Sequence, residues 1–512
     1  YYLILVLFLI AAFVETLGIG LIFALLNLII SGSIVETKYF EYFSFLKFIE
    51  IDSLLLIILL LYFFKSVFLS LFYWVQNKYV LAVENDISRD LFNVYVKLPI
   101  NFHLNTNTST IIRNITVETG QFSGSILMNS LVFFKNIFLF LFLFCFLALM
   151  NFKITIISTM CFFIFGFIYQ KIMSDRSYSW GERRQFYAGQ RFKKLQEAFK
   201  GIKTIKIFNE EKFFFDKYFN TQIRLNSIRL KQTFFKNVPR IWFEFIAISG
   251  FVILLFYFLK VSINLTSILP ALGTLVLVML RLIPAIIQII NNFQHFDFSK
   301  ASLAKIKEDL ELIKNTESTH FYEKKFKSFE NIIFKDVYYK YPEKDNYTLR
   351  KVNLEIKKGK SIGIYGSSGE GKSTLLNLIS GLIYPSKGEI LIDEKNILEN
   401  VNQLRENISF IPQDIFMTDS SIIENIRFGY NVNDSEDLNK LIDQVSLNEL
   451  IDSLENKERT IIGESGQRVS GGELQRISIA RGLARKRQIL LLDEPTKSLD
   501  RENSRKIVDV VK

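Results

Sequence analysis

Six stretches in the first 300 residues, at about 3–30, 54–76, 126–149, 153–173, 241–259 and 267–290, each hold nearly twenty apolar residues with few charges. Crossing a bilayer core roughly 30 Å thick takes about 20 helical residues. Lipid offers no partner to a bare backbone N–H or C=O, so such stretches fold as helices that satisfy their own hydrogen bonds. One alone could be a buried helix of a soluble core, but six in succession exclude that. A hydrophobic fraction of 49% and 51 Phe suit the same class. After about residue 330 the composition turns into that of an ordinary soluble domain. The chain therefore reads as a membrane half over 1–300, a charged linker over 301–330 and a soluble half over 331–512.

Charge orients the spans. Residues 171–236 carry 16 Lys/Arg against 6 Asp/Glu, nearly the whole excess of +11. The presumed outer loops are poor in basic residues, so this long loop faces the cytoplasm. Its positive charge reflects topology, and no base-reading module accompanies it, so nucleic acid is not an expected partner. Cys145 and Cys161 both sit in apolar runs and read as packing residues. His103, His295 and His320 are scattered and offer no metal cluster. Tyr1 opens inside an apolar run, and the N-terminus is expected to be missing.

In the soluble half, GSSGEGKST fits the phosphate-cradling pattern G-x-x-x-x-G-K-[ST] at Gly366, Gly371, Lys372 and Ser373. The loop Gly366, Ser367, Ser368, Gly369, Glu370, Gly371, Lys372, Ser373 and Thr374 turns backbone N–H groups onto phosphate oxygens, and a helix N-terminus adds its dipole. Lys372 is expected to reach the β- and γ-phosphates and Ser373 to help hold Mg²⁺. The apolar run Ser361–Tyr365 is expected as the preceding strand. A second apolar strand, ILLLDE, ends in Asp493 and Glu494. Asp493 would support Mg²⁺, and Glu494 would polarise the attacking water as the catalytic group.

With RVSGGELQR some twenty residues upstream of that strand, the soluble half resembles the ATPases of ABC transporters. The resemblance makes Ser470, Gly471, Gly472 and Glu473 the signature motif, with Val and Glu where Leu and Gln are commoner. It makes Tyr341 the aromatic that stacks on adenine, and Gln413 the Q-loop residue that also serves Mg²⁺. Ser498, Leu499 and Asp500 become the D-loop. ATP and Mg²⁺ are the implied cofactors and hydrolysis coupled to transport the implied activity. The family's switch histidine would lie beyond Lys512, so C-terminal truncation is expected. In this family each ATP lies between the phosphate loop of one subunit and the signature motif of the other. Six spans with one ATPase make half a transporter, which implies a second half, most simply by homodimerisation.

The membrane half resembles the type I (type IV) exporter fold, in an inner membrane with the ATPase in the cytoplasm. Leu195–Phe214 follows the pattern of that fold's second coupling loop, and Ser109–Thr119 occupies the first-loop position. The alternative for each is a solvated amphipathic helix. Segments 13–22, 238–244 and 280–286 resemble the bacterial flippases of lipid-linked oligosaccharides, which place basic residues in a cavity against the cargo's pyrophosphate. Lys65, Arg240 and Arg281 match basic positions there, while Gln288 replaces a further arginine. Buried charges in a membrane are costly and usually functional. An anionic lipid-linked cargo is the expectation; neutralisation by Glu15 or Glu244, and snorkelling for Arg240, are the alternatives. Residues 37–50 are expected either as an interfacial amphipathic helix or as a loop anchored by aromatics. Other readings are an exporter of drugs, lipid A-like lipids or peptides, and an ATP-gated channel or regulatory protein.

Overall fold

The computed structural model describes residues 6–18, 51–150, 152–260, 265–317, 329–341, 345–399, 401–430 and 435–511, with the side chains of 257–281, of 312–317 and of scattered single positions left aside. The segment 37–50 lies outside these residues, as does most of the first predicted span. The chain divides into two units: Tyr1–Leu98 with Asn105–Ser318, and Pro99–Leu104 with Thr319–Lys512.

The first unit is helical. Its elements are α1 (Val6–Gly18), α2 (Ile51–Lys97) and, beyond the short α3 (Ile100–Asn105), α4 (Thr108–Arg113), α5 (Thr119–Phe122) and α6 (Met128–Met150). Then follow α7 (Phe152–Lys200), α8 (Ile202–Phe208), α9 (Glu211–Lys260) and α10 (Leu265–Glu317). Among the described residues three helical segments are long and apolar enough to cross a membrane: Leu55–Lys97, Thr108–Leu149 and Thr155–Lys200. The fifth and sixth predicted spans fall on α9 and α10. Helices of 47 to 53 residues run to about 70–80 Å at 1.5 Å per residue, far more than a bilayer needs. Each continues as a long extension past its apolar stretch.

Packing follows the inverted logic of a membrane protein. Phe63, Phe64, Phe163 and Phe167 point outward, while Glu118, Arg184, Asp297 and Asp309 are buried. Leu143, Phe162, Phe243 and Ile290 join α6, α7, α9 and α10 in one apolar cluster. At Gly181 a Cβ would collide with the backbone of Phe298, so only glycine lets α7 and α10 approach this closely.

Two expectations change here. Ser109–Thr119 is no coupling helix: it forms α4 and the π-helical turn Asn114–Glu118, with Ser109, Arg113, Asn114, Glu118 and Thr119 buried inside the bundle. Its charged residues, Arg113 and Glu118, are spent on internal ion pairs. The compact short helix of that loop is α3. The expected linker is also helical for half its length, because α10 continues to Glu317. Ser302, Asp309 and Ile306 are buried there, which anchors the helix to the bundle.

The second unit holds two sheets. β1 (Asn331–Tyr339), β2 (Leu349–Lys357), β3 (Lys387–Ile392) and β4 (Lys395–Asn396) form an antiparallel sheet ordered β2-β1-β3-β4. β5 (Ile408–Ile411) and β6 (Ile489–Leu492) pair in parallel. One apolar cluster joins β1, β3 and α11 (Lys372–Ile379). A second gathers Ile411, Ile422, Ile477 and Ile507 around the helix Gly471–Ala484. Ile100 of α3 packs on the first cluster, with Asn101 Oδ1 3.5 Å from the Tyr339 hydroxyl. The run Ser361–Tyr365, expected as a strand, belongs to neither sheet. Of its large apolar residues only Ile364 packs on the core, and Tyr365 is 96% exposed. That is too little burial to hold a ladder.

Candidate functional site

The phosphate loop runs straight into α11, with Gly371 as its N-cap at φ 96° and Gly369 at φ 88°. These left-handed positions aim successive backbone N–H groups into one concavity, and non-glycine residues adopt them only at a cost. At Gly371 an added Cβ would also press on Leu349. Lys372 folds back so that its Nζ donates to the carbonyls of Gly366 (2.7 Å) and Ser367 (2.8 Å). Glu370 accepts from the Ser367 N–H at 2.8 Å, and its carboxylate fills the space a Cβ on Gly366 would take. Ser373 stands in the first turn of α11, and Thr374 follows, buried. The hydroxyls of Tyr341 and Thr374 meet at 3.1 Å, and Tyr341 sets its ring edge-on to Tyr339 at 4.9 Å. The predicted adenine platform and phosphate loop are thus adjoining.

The parallel register Ile411↔Leu492 places the ends of β5 and β6 side by side. Gln413 and Glu494 follow those ends, and Gln413 Nε2 donates to Glu494 Oε2 at 2.6 Å. Asp493 N–H donates to the Ile411 carbonyl at 3.0 Å, and its side chain is buried. Glu494 sits at φ 50°, a strained backbone that recurs at functional positions. Lys497 also reaches its carboxylate, at 3.3 Å. Sequence reasoning missed Lys497; its place three residues after the catalytic candidate was the available signal.

Ser470 is the N-cap of the 14-residue helix Gly471–Ala484 and makes a capping box with Glu473. Ser470 N–H donates to Glu473 Oε2 at 2.7 Å, and Glu473 N–H to Ser470 Oγ at 3.3 Å. The glutamate that departs from the usual glutamine thus completes a standard S-x-x-E cap. A Cβ on Gly472 would lie 3.1 Å from the Ser498 carbonyl, so the glycine permits the D-loop to pass close by. No hydrogen bond or ion pair among the described residues joins the signature motif to the phosphate loop.

The residues fit a magnesium nucleotide. Mg²⁺ favours oxygen ligands and is usually held by one or two carboxylates plus substrate phosphates, the arrangement Asp493 and Ser373 offer. Among the described residues no cluster of three His, Cys, Asp or Glu forms a metal cage, and none is needed for this mode.

Of the cargo candidates, Lys65 is 7% exposed, its Nζ 4.9 Å from the Tyr62 ring centre. Arg240 is exposed and paired with Glu244 at 2.9 Å. Arg281 lies on α10, its side chain outside the described set.

Residues 1–282 match the family described as the ABC transporter transmembrane region, and residues 349–497 match the ABC transporter family itself. The chain belongs to the ABC transporters. It carries a helical transmembrane exporter domain followed by an ABC ATPase domain, and it is a multi-pass membrane protein. An ATP-dependent lipid A-core flippase of Methylobacillus flagellatus is 25% identical over 85% of this chain and 73% of that protein. An uncharacterised ABC transporter ATP-binding protein of Bacillus subtilis is 39% identical over 35% of the chain, which spans about a third (32%) of that relative. The solved structure of a bacterial Atm1-family ABC exporter with ATP bound superposes with TM-score 0.79 at 19% identity, covering 100% of this chain and 87% of that one. The last likeness concerns the fold alone.

Proposed function

We propose that the protein hydrolyses ATP to move an anionic, sugar-bearing amphiphile across the inner membrane, with its ATPase half in the cytoplasm. The observation that carries the reading is the junction of Gln413 with Glu494 at the paired ends of β5 and β6, in one unit with a glycine-nested phosphate loop. Glu494 is the general base for water, Asp493 and Ser373 hold Mg²⁺ with Gln413, Lys372 turns from the loop carbonyls to the β- and γ-phosphates, and Tyr341 meets adenine. In this family each ATP lies between the phosphate loop of one subunit and the signature motif of the other, so a second copy would supply Ser470 to complete each site, as a two-fold dimer.

For the cargo, the sequence favours a polyprenyl-diphosphate-linked oligosaccharide, and relatives matched over most of the chain carry the name ATP-dependent lipid A-core flippase. Both are anionic lipids with sugars. Lys65, with Arg240 and Arg281, would meet the charged group. A second reading has its own observation: Lys65 lies against Tyr62 and Arg240 against Glu244, which suits an exporter whose cavity ignores charge. A relative from Lactococcus lactis, 29% identical over 84% of this chain and 60% of that protein, carries the name of a lacticin-481/lactococcin-DR transport/processing ATP-binding protein.

The test is ATP-dependent translocation of a fluorescent polyprenyl-diphosphate oligosaccharide in proteoliposomes, with Glu494→Gln as the inactive control. Translocation that depends on Glu494 and weakens in Arg281→Ala supports the flippase. Robust hydrolysis with a stationary lipid removes this cargo and leaves the exporter.

A further inference from the structure

Between α7 and α9, beyond their apolar stretches, lies an open cavity of about 450 Å³. Trp180, Arg183 and Tyr187 line it from α7, and Arg224 and Lys231 from α9. The spacings 180, 183, 187 and 224, 228, 231 each mark one helix face, so two faces meet around the opening. Phe186 stands beside them, 59% exposed. Arg224 reaches only the Tyr187 hydroxyl, at 3.5 Å, and its ring, at 5.9 Å. No carboxylate among the described residues pairs with Arg183, Arg224 or Lys231, and the lining holds a single acid, Glu182. Arg184, one residue on, is by contrast buried against Glu118 at 3.0 Å.

The cavity's depth limits its occupant. Trp180 to Tyr187 lie 7 to 14 residues past the fourth apolar stretch, about 10–20 Å beyond the hydrocarbon at 1.5 Å per residue. The headgroup layer takes roughly 5–8 Å on each side. An ordinary phospholipid phosphate therefore stays above the opening. What reaches it carries its charge well away from the lipid, or is soluble.

We infer that this cavity binds an anionic sugar, borne either on the extended head of the cargo or free as a sugar phosphate. The first source rests on the transport reading above; the second does not. Guanidinium forks match phosphate and carboxylate oxygens bidentately. Flat aromatic surfaces cover the apolar face of a sugar ring, and the volume falls in the range of small-ligand sites. A neutral glycan leaves three cations uncompensated, and a bare phosphate leaves the aromatic surface unused.

The test uses the full chain in detergent with Trp74→Phe and Trp242→Phe, which leaves Trp180 as reporter. Glucose 1-phosphate, inorganic phosphate and maltotriose are titrated separately without nucleotide. A saturable change with glucose 1-phosphate, weakened at least tenfold by Arg183→Gln/Arg224→Gln and exceeding that of the other two, supports the site. The thermal midpoint of the double variant checks folding, and Lys231→Gln serves if that variant is unstable. No saturation up to about 10 mM, where binding is worth only about 2.7 kcal/mol, overturns the inference. So does an equal response in the folded variants. Slower ATP-driven translocation of a sugar-bearing lipid by the double variant assigns the site to the cargo's head; unchanged translocation with lost binding assigns it to a free sugar phosphate. Binding by a wild-type protein that moves no lipid retires the transport reading and keeps the cavity.

Discussion

Glu118 is fully buried at the end of a π-helical turn. It accepts from Arg184 Nη2 at 3.0 Å and from the Ser302 hydroxyl at 2.5 Å, with Arg113 Nε at 3.7 Å. Both guanidiniums are themselves nearly inaccessible. Glu118→Ala would leave two cations in a low-dielectric interior with no counter-charge. Breaking a buried pair in this way costs about 3–5 kcal/mol, most of it the penalty of the stranded charge. At roughly 2–4 °C per kcal/mol for a unit of a couple of hundred residues, and less for a larger one, the helical unit should unfold about 5–10 °C earlier. Far-ultraviolet circular dichroism follows the melting of that helical unit. Cys145 and Cys161, expected as packing residues, are instead exposed on α6 and α7, because their runs face outward toward lipid, and offer no unfolding-dependent thiol signal. Glu118→Gln keeps the shape and an acceptor, so it should fall between. Glu118→Leu with Arg184→Met removes charge on both sides and should recover part of the loss, a coupling of about 1–3 kcal/mol in a double-mutant cycle. An unchanged midpoint for Glu118→Ala, or a double variant worse than the sum of its parts, would refute the reasoning.

Burial, and then the charge of Lys236, lower the pKa of His295 to about 4. Since the folded value lies below the ordinary 6.5, the neutral ring's contribution is complete above pH 6.5 and is lost as pH falls toward 4. The wild-type midpoint should drop more steeply than that of His295→Gln over that window, by a difference on the order of 3 kcal/mol; parallel curves would disprove it. Glu473→Gln preserves an S-x-x-Q capping box, so unfolding of the ATPase unit should move by less than about 0.5 kcal/mol. Glu370→Ala removes a carboxylate from the phosphate loop and should tighten binding of a fluorescent ATP analogue several-fold; weaker binding would show that its bond to the Ser367 N–H matters more than its charge.

Much of this architecture was legible because it rests on short-range physics. Apolar length announces a membrane helix, and the glycine spacing of residues 366–371 announces a phosphate nest. Ser470 and Glu473 read as a cap as well as a signature. What escaped depends on partners distant in sequence. Nothing local in Asn114–Glu118 or Ser123–Leu127 predicts π-helical turns; they widen the helix where Glu118 and Ser123 must turn inward, Ser123 toward Glu84. The charged stretch 301–317 looked like a linker because two of its buried polar residues, Ser302 and Asp309, find their partners on other helices. Asp309 accepts from Tyr95 at 2.6 Å and from Asn114 at 2.9 Å, and burial, together with that carboxylate, pushes the Tyr95 hydroxyl upward. The Ser361–Tyr365 run looked like a strand because apolar content alone does not say which sheet will receive it.

Arg183 and Arg184 carry this argument into the charge balance. A helix turns 100° per residue, so adjacent arginines face different directions. Arg184 closes on Glu118 and Ser302 inside the bundle, where its loss leaves the buried Glu118 with only the longer 3.7 Å ion pair to Arg113. Arg183 lines the open cavity with Arg224 and Lys231, where its loss frees nothing buried. Composition sees both as one cationic excess that orients the membrane. The structure divides that excess into cations held by internal acids and cations left facing water. Only the second group is available to a ligand, so substitutions at Arg184 should register as stability and those at Arg183 as binding. A matched pair of glutamine variants, read by thermal midpoint and by Trp180 fluorescence, tests that division, and a shared effect on both readouts would erase it.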